Sequence, residues 1–235
     1  MAGSAFAFLQ PEPRKGDRAR VRLLAAALRV FADKGLRGAS VREIAREAGQ
    51  NVAAIAYYFG SKEKLYRALM EGLAREVHIR VGDVVEEIQA LRERGNGTPA
   101  DGVRLFQAFL RTVYLRLLSR SEAVEFGRLV VPEQLAPTAG FEILYDQAFR
   151  QLHEALCFTV GLAIGLDPRD KETIVRTHML MGQVYFFAMT REAILRRLHW
   201  KDLEGQKAEW VAGLLAEHTE LLLTGLAARL KSSKK

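Results

Sequence analysis

The chain is poor in cysteine, with a single residue, Cys157, among 235. One thiol cannot form an internal disulfide, and a zinc site built on cysteine needs further ligands. His153 lies four residues before Cys157, but two ligands on one helical face fall short of the four in a closed zinc site. We therefore expect a protein of a reducing compartment, the cytoplasm, that holds no metal and no cofactor.

Long apolar runs are also missing. No run reaches the ~18 apolar residues that a membrane-spanning helix needs. The first ten residues are small and apolar, but no basic residues precede their apolar part, as they do in a secretory signal. We therefore expect no membrane among the partners of this protein.

The motifs of the common enzyme classes are absent. The sequence has no glycine-rich phosphate loop ending in Lys-Ser/Thr, no His-Glu-x-x-His and no Gly-x-Ser-x-Gly. Its carboxylates are spread along the chain, most of them at helical spacing from a Lys or Arg, which is typical of solvated helix faces. We expect that the protein is not an enzyme.

What the chain does have is positive charge, and this charge is concentrated near the N-terminus. Residues 14–64 carry twelve Lys and Arg against five acidic residues, whereas residues 65–235 carry 23 basic and 22 acidic residues. A phosphate polyanion is a natural partner for the basic end. Charge alone leaves nucleic-acid binding and a solvated basic surface as equal alternatives.

Hydrophobic residues repeat with a helical period nearly throughout, and no segment alternates as a strand would. The pattern predicts an all-α protein. Residues 1–16 predict a flexible basic arm, because they contain Pro11, Pro13 and Gly16 and lack periodicity. Residues 17–77 predict an N-terminal domain with three short helices, and residues 78–235 predict a larger helical C-terminal domain.

Residues 40–59 have the layout of a helix-turn-helix. Ser40 and Glu43 have the spacing of a capping box at the start of a short helix, which Gly49 ends. Asn51 can cap the next helix, so that the two short helices are joined by a tight turn. In this motif the helix after the turn enters the major groove of DNA with its N-terminal residues.

The DNA contacts follow from the side chains that face outward. Base contacts are predicted from the first turns of the helix after Gly49, where small residues allow deep entry into the groove; they are Gln50, Asn51, Val52, Ala53, Ala54, Ala56 and Tyr57. Phosphate contacts are predicted from hydroxyl and basic groups around it; they are Ser40, Arg42, Tyr58 and Lys62.

Three stretches resemble the TetR family of bacterial transcription regulators. They are residues 25–35 (AAALRVFADKG), 38–45 (GASVREIA) and 55–65 (IAYYFGSKEKL). The resemblance covers about residues 17–77, and many positions agree in order and spacing. Residues 51–59 (NVAAIAYYF) are similar to the CecR-like branch of the family.

The resemblance implies a homodimer of about nine helices per subunit. A small N-terminal domain would bind a nearly palindromic duplex operator, and a larger C-terminal domain would bind a small-molecule effector and dimerise. Effector binding would change the spacing of the two reading helices. Members of the family are mostly repressors that an effector releases from the operator.

Two long helices near the C-terminus carry broad apolar stripes that predict a four-helix dimer interface. The predicted interface residues are Ile174, Val175, Gly182, Trp210, Leu214, Leu215, Leu221, Leu222 and Gly225. The alternative is that these stripes pack inside the monomer.

An effector pocket needs mostly apolar walls with a few polar groups. Polar and aromatic residues on otherwise apolar faces of the C-terminal helices are candidates for it, for a partly apolar ligand; they are Tyr114, Phe126, Arg128, Tyr145, Phe149, His153, Cys157, His178, Gln183 and Tyr185. An aromatic stripe at helical spacing is more often plain core.

The function predicted is therefore that of a ligand-responsive transcription regulator. The alternative is a helical protein–protein interaction module whose basic N-terminal face binds an acidic partner. A small-molecule enzyme in the C-terminal bundle is a minor third alternative, for which the sequence shows no converging acid–base pair.

Overall fold

The computed structural model describes Phe6, Leu9, residues 15–118 and residues 123–233. In these residues the chain forms eleven α-helical segments and no strand, which confirms the predicted all-α class. They are α1 (Lys15–Gly38), α2 (Val41–Glu47), α3 (Val52–Phe59), α4 (Lys62–Arg94), α5 (Pro99–Val113), α6 (Ala123–Leu135), α7 (Ala139–Leu144), α8 (Arg150–Ile164), α9 (Lys171–Met189), α10 (Arg191–Leu198) and α11 (Gln206–Ser232).

Two π-helical turns interrupt the α geometry. Tyr114–Leu118 extends α5, and Tyr145–Phe149 joins α7 to α8 without a break. The described part of the chain therefore has ten continuous helices, where about nine were expected. The extra break is at Thr190, where the backbone leaves helical geometry between α9 and α10 and the hydroxyl caps the carbonyl of Phe186 at 2.8 Å.

Pro132 does not end a helix, although a proline interrupts the hydrogen bonding of a helix interior. The residue lies inside α6, and its carbonyl accepts a 2.8 Å hydrogen bond from the amide of Ala136. Because proline has no amide hydrogen, the carbonyl of Arg128, one turn earlier, loses its partner within the helix. Pro132 and Arg128 are both exposed, away from the apolar core. The helix continues to Leu135 and places Glu133 on its buried side.

The helices form two compact units. The first contains the described residues up to His78 together with Val124–Phe149, a segment that the sequence analysis placed in the C-terminal domain. The second contains Ile79–Ala123 and the described residues from Arg150 onward. The predicted arm of residues 1–16 lies mostly outside the described residues, but Phe6 and Leu9 are described and both are buried.

The core of the first unit is built from apolar residues at helical spacing. Phe31 of α1, Ile44 of α2 and Ile55 of α3 are almost completely buried, as are Leu65 and Leu69 of α4. Each of these residues follows the i, i+3, i+4 pattern of its helix. The helices α1, α2 and α3 are thereby fixed against the start of α4.

The second unit is centred on α5, α8 and α11, which pack on one another. At Gly102 the backbones of α5 and α8 approach so closely that a Cβ atom would lie 2.5 Å from the carbonyl oxygen of Thr159. Gln107 of α5 donates to the carbonyl of Ala216 in α11 at 2.8 Å. These contacts leave parts of α9 and α11 on the surface of this unit.

Candidate nucleic-acid interface

The reversal between α2 and α3 is completed by the three residues 49–51. Ser40 caps α2 by accepting from the amide of Glu43 at 3.2 Å. Gly49 adopts a φ of 62°, a left-handed conformation that favours glycine. The amide of Gln50 then closes the end of α2 on the carbonyl of Ala45 at 2.9 Å. This geometry is the predicted helix-turn-helix connection.

The helix α3 buries one side and exposes the other. Ile55 and Phe59 point into the core, whereas Val52 and Tyr57 are 43% and 83% exposed. Asn51, Ala53 and Ala56 are also exposed; Ala54, Tyr58 and Gln50 are half-buried. The predicted reading residues thus lie together on or beside one face, although half-burial limits what three of them can reach.

Two side-chain amides at this turn are engaged by the backbone. The Oδ1 atom of Asn51 accepts from the amide of Ala54 at 2.8 Å, which is the predicted cap. The Nε2 atom of Gln50 donates to the carbonyl of Gly49 at 2.9 Å. Asn51 therefore offers its NH₂ group rather than its oxygen to a base. The side chain of Gln50 has to give up its hydrogen bond to Gly49 before it can reach a base.

The ammonium group of Lys62 makes a hydrogen bond within the protein that was not predicted from the sequence. At the start of α4 it donates to the carbonyl of Ala39 at 3.0 Å, immediately before the residue that caps α2. The contact joins two residues 23 positions apart, and no local pattern signals it. A Lys ammonium has three donors, so this bond leaves others available for a phosphate.

Part of the positive charge around α2 is neutralised. Arg29 pairs with Glu47 at 3.0 Å, and Lys34 pairs with Glu43. Arg42, a predicted phosphate contact, is exposed on the first turn of α2, as is the cap residue Ser40. Exposed ion pairs add little stability and are screened by salt, so Glu43 and Glu47 mainly reduce the positive field at this surface.

The predicted effector residues are divided between the two units. In the first unit Phe126 is buried, Phe149 is half-buried, and Arg128 and Tyr145 are exposed. The second unit contains the other six; Tyr114 and Cys157 are buried, His153 and Gln183 are half-buried, and His178 and Tyr185 are exposed. The units thus separate the ten residues into a set of four and a set of six.

Three of the six residues in the second unit lie close together. The Sγ atom of Cys157 is 3.4 Å from Nδ1 of His153, and the rings of His153 and His178 are 6.1 Å apart. Burial lowers the pKa of His153, with a further contribution from His178, and burial raises the pKa of Cys157. Among the described residues no group of three or more His, Cys, Asp and Glu side chains is arranged to hold a metal.

Tyr114 is the most completely buried of the predicted effector residues. It begins the π turn that follows α5, and its ring packs edge-on against Phe187 with centroids 5.8 Å apart. Its hydroxyl has no hydrogen-bond partner among the described residues, and burial raises its pKa to about 12. Phe187 also borders a groove of about 370 Å³, which is lined by Phe186, Phe187, Thr190, Ala193, Ile194 and Arg197.

The apolar stripes of α9 and α11 lie on the surface of the second unit. Most of the predicted dimer residues are exposed there; they are Ile174, Val175, Trp210, Leu214, Leu221, Leu222 and Gly225, with Gly182 half-buried. A Cβ atom at either glycine would meet nothing within 4 Å. Leu215 was wrongly included, because it is 7% exposed and points into the unit's own core.

One helix in the described part of the chain, α11, is long and apolar enough by length and composition to cross a membrane. The sequence analysis found no such run because it required uninterrupted apolar residues, whereas α11 reaches a mean hydropathy of 1.2 over 18 residues that include polar ones. Core helices of soluble proteins meet the same criterion.

Two family models match the chain. The model described as "Bacterial regulatory proteins, tetR family" matches residues 23–69, and the model described as "HTH-type transcriptional dual regulator CecR, C-terminal domain" matches residues 103–226. The first match covers the helix-turn-helix, and the second covers more than half of the chain.

Similar proteins extend over nearly the whole sequence. The chain is 34% identical to the transcriptional dual regulator CecR of Shigella flexneri over 92% of its own length and 96% of that protein. It is 28% identical to the transcriptional repressor NicS of Pseudomonas putida over 91% and 94% of the two chains.

Solved structures agree in fold. A transcriptional regulator from Rhodococcus matches with a TM-score of 0.58 at 22% identity, over 88% of this chain and 96% of that one. AibR, crystallised with isovaleryl coenzyme A and operator DNA, matches with a TM-score of 0.58 at 20% identity, over 85% and 96%. At these identities the likeness concerns the fold alone.

Proposed function

The chain belongs to the TetR family of bacterial regulators, with a CecR-type C-terminal domain, and we propose that it represses transcription by binding a nearly palindromic operator as a homodimer. The observation that carries the proposal is the exposed face of α3 behind the Gly49 turn, inside the most basic segment of the chain. Such proteins are ligand-responsive, DNA-binding regulators of transcription. The alternative, a protein–protein interaction module, is not favoured.

The base contacts that we propose come from the exposed first turns of α3. Asn51 can donate from its NH₂ group, and Val52, Ala53 and Ala56 can offer methyl contacts to thymine. Tyr57, the most exposed large residue of the helix, can reach beyond them. Because hydrogen-bonding groups are few, DNA shape carries a larger share of the specificity.

Phosphate contacts are proposed for Ser40, Arg42, Tyr58 and Lys62. The first two lie at the start of α2, where free backbone amides also favour an anion. Lys62 is held near them by its bond to Ala39. These contacts set the register of the protein on the duplex and supply most of the salt-dependent affinity.

The homodimer is proposed to form through α9 and α11. Val175, Met179, Phe186 and Met189 are exposed at intervals of three, four or seven residues along α9, and Leu221 and Leu222 are exposed on α11. A monomer seldom leaves so many large apolar side chains in water. A second copy covers them in this proposal, so that α11 is buried by protein rather than by lipid and the regulator stays in the cytoplasm with its DNA.

The effector is proposed to be a small, partly apolar molecule that binds in the second unit beside Tyr114. A buried hydroxyl without a partner is costly, so a ligand atom that accepts its hydrogen bond gains affinity there. The π turn that begins at Tyr114 is of a kind that often marks functional sites. AibR supplies a precedent in the fold, since its structure contains isovaleryl coenzyme A.

Removing a phosphate contact should weaken binding to all DNA sequences alike. We expect Lys62→Ala and Arg42→Ala each to reduce the slope of log K against log salt by about 0.9, the value for one released counterion. The measurement is a fluorescence-anisotropy titration at several salt concentrations, on the duplex immediately upstream of the reading frame and on its shuffled sequence. The matched control is Lys171→Ala, which removes an exposed charge from α9 and should leave the slope unchanged.

An unchanged slope in both variants would remove Lys62 and Arg42 from the interface. Failure of the wild-type dimer to bind either duplex at low salt would instead support the interaction module.

Placing a charge on the proposed dimer face should separate the subunits. We expect Leu221→Glu, at a position 63% exposed in one chain, to raise the dimer dissociation constant about 100-fold, or ~2.8 kcal/mol, because a carboxylate would be buried without a partner. Sedimentation velocity over a concentration series measures this. Gln89→Glu, which adds the same charge on the exposed side of α4, should sediment as the wild type. A Leu221→Glu protein that stays dimeric would place the interface elsewhere.

Deleting the unpaired hydroxyl should stabilise the protein in the absence of ligand. We expect Tyr114→Phe to raise the free energy of unfolding by about 1 kcal/mol, because a buried polar group without a partner is removed. Tyr66→Phe is the contrasting control, since its hydroxyl donates to Glu133 at 2.7 Å and its loss should destabilise. Urea unfolding of the ligand-free proteins measures both. A destabilised Tyr114→Phe protein would mean that the hydroxyl is already satisfied.

A further inference from the structure

Glu133 is a buried carboxylate that accepts hydrogen bonds from three residues of the first unit. Its side chain lies on α6, and the residue is 4% exposed. The hydroxyl of Tyr66 donates to Oε1 at 2.7 Å, and the backbone amides of Thr138 and Phe141 donate to Oε2 at 3.0 and 2.9 Å. The hydroxyl of Thr138 lies 2.8 and 2.9 Å from the two oxygens. Several hydrogen bonds of this kind are what allows an ionisable group to be buried.

The atoms around this carboxylate are closely packed. A Cβ atom added at Gly140 would lie 2.8 Å from Oε1 of Glu133 and 2.8 Å from the ring of Tyr66. Burial and the neighbouring Glu133 raise the pKa of Tyr66, so its hydroxyl stays protonated and donates. The α6–α7 turn and the start of α4 are therefore held together by directed bonds and by close contact.

The same part of α4 also holds the helix-turn-helix. The ring of Tyr66 packs edge-on against Phe31 of α1, with centroids 5.0 Å apart. One helical turn before Tyr66, Lys62 donates to the carbonyl of Ala39, beside the cap of α2. The start of α4 thus links Glu133, through Tyr66 and Lys62, to Ala39 beside the cap of α2.

We infer that Glu133 is a positioning residue for operator binding, which fixes the direction of α4 and thereby the placement of α2 and α3 on the DNA. The inference rests on the proposed function, since it assumes two reading helices at a set separation. A displacement of the α6–α7 turn reaches the reading helix through the bond between Glu133 and Tyr66. Without that bond, the start of α4 keeps its apolar packing but loses the hydrogen bond that joins it to the α6–α7 turn.

The test compares Tyr66→Phe and Glu133→Gln with wild type as full-length dimers. Binding sites are first selected by the wild-type protein from random duplexes, and the half-site separation is then varied by one and two base pairs in each direction. We expect both variants to lose about tenfold in affinity at the preferred separation, and less at the others, so that the preference flattens. The double variant should lose no more than Glu133→Gln alone, because Tyr66→Phe removes a bond that Glu133→Gln has already altered.

Thr159→Val is the matched control. It deletes a buried hydroxyl that donates to a backbone carbonyl in the second unit, at 2.8 Å, so it carries a comparable folding cost without touching the contact set. Urea unfolding of all variants at several temperatures identifies a temperature at which every variant is fully folded. The DNA titrations are made at that temperature. Thr159→Val should retain the wild-type separation profile.

Two outcomes overturn the inference. An unchanged separation profile in Tyr66→Phe and Glu133→Gln would show that the bond has no influence on the reading helices. An equal loss at every separation would show that the bond only stabilises the fold. Failure of the wild type to select any duplex would contradict the proposed function itself, and is thereby distinguishable from both.

Discussion

The chain turns from α2 into α3 over the four residues 48–51, and the placement of the proposed base contacts depends on that turn. A left-handed residue has to end α2, and the next helix has to begin at once with its amides capped. Gly49 meets the first requirement and Asn51 the second. Burial of Ile55 and Phe59 then decides the rotation of α3 about its own axis. The opposite face is left in solvent, where a duplex can approach it.

The features predicted correctly from sequence are those whose causes are local. The caps at Ser40 and Asn51 and the glycine turn depend on residues within four positions of each other, so their spacing was sufficient evidence. The core positions of α1 to α4 follow from helical periodicity. The exposed stripe on α11 could be predicted in the same way, but periodicity alone could not decide the side of the helix to which Leu215 belongs.

The features that sequence could not predict join distant parts of the chain. Lys62 and Ala39 are 23 residues apart, and Tyr66 and Glu133 are 67 residues apart. Glu133 is one of two carboxylates in α6, and nothing in the local sequence indicates its partners. The assignment of Val124–Phe149 to the first unit was missed for the same reason. It gives the small DNA-binding domain a direct structural link to α6 and α7, which the order of the helices along the chain conceals.

The exposed face of α3 is proposed to contact operator DNA, and photocrosslinking can detect that contact. A photoreactive phenylalanine analogue replaces Tyr57, the most exposed large side chain of α3, and in a second protein it replaces Gln89 on α4. Each dimer is irradiated with a duplex that the wild-type protein has selected. We expect a covalent protein–DNA product from position 57, mapped to the major groove of each half-site, and none from position 89. Equal crosslinking from both positions, or a product from position 89 alone, would contradict it.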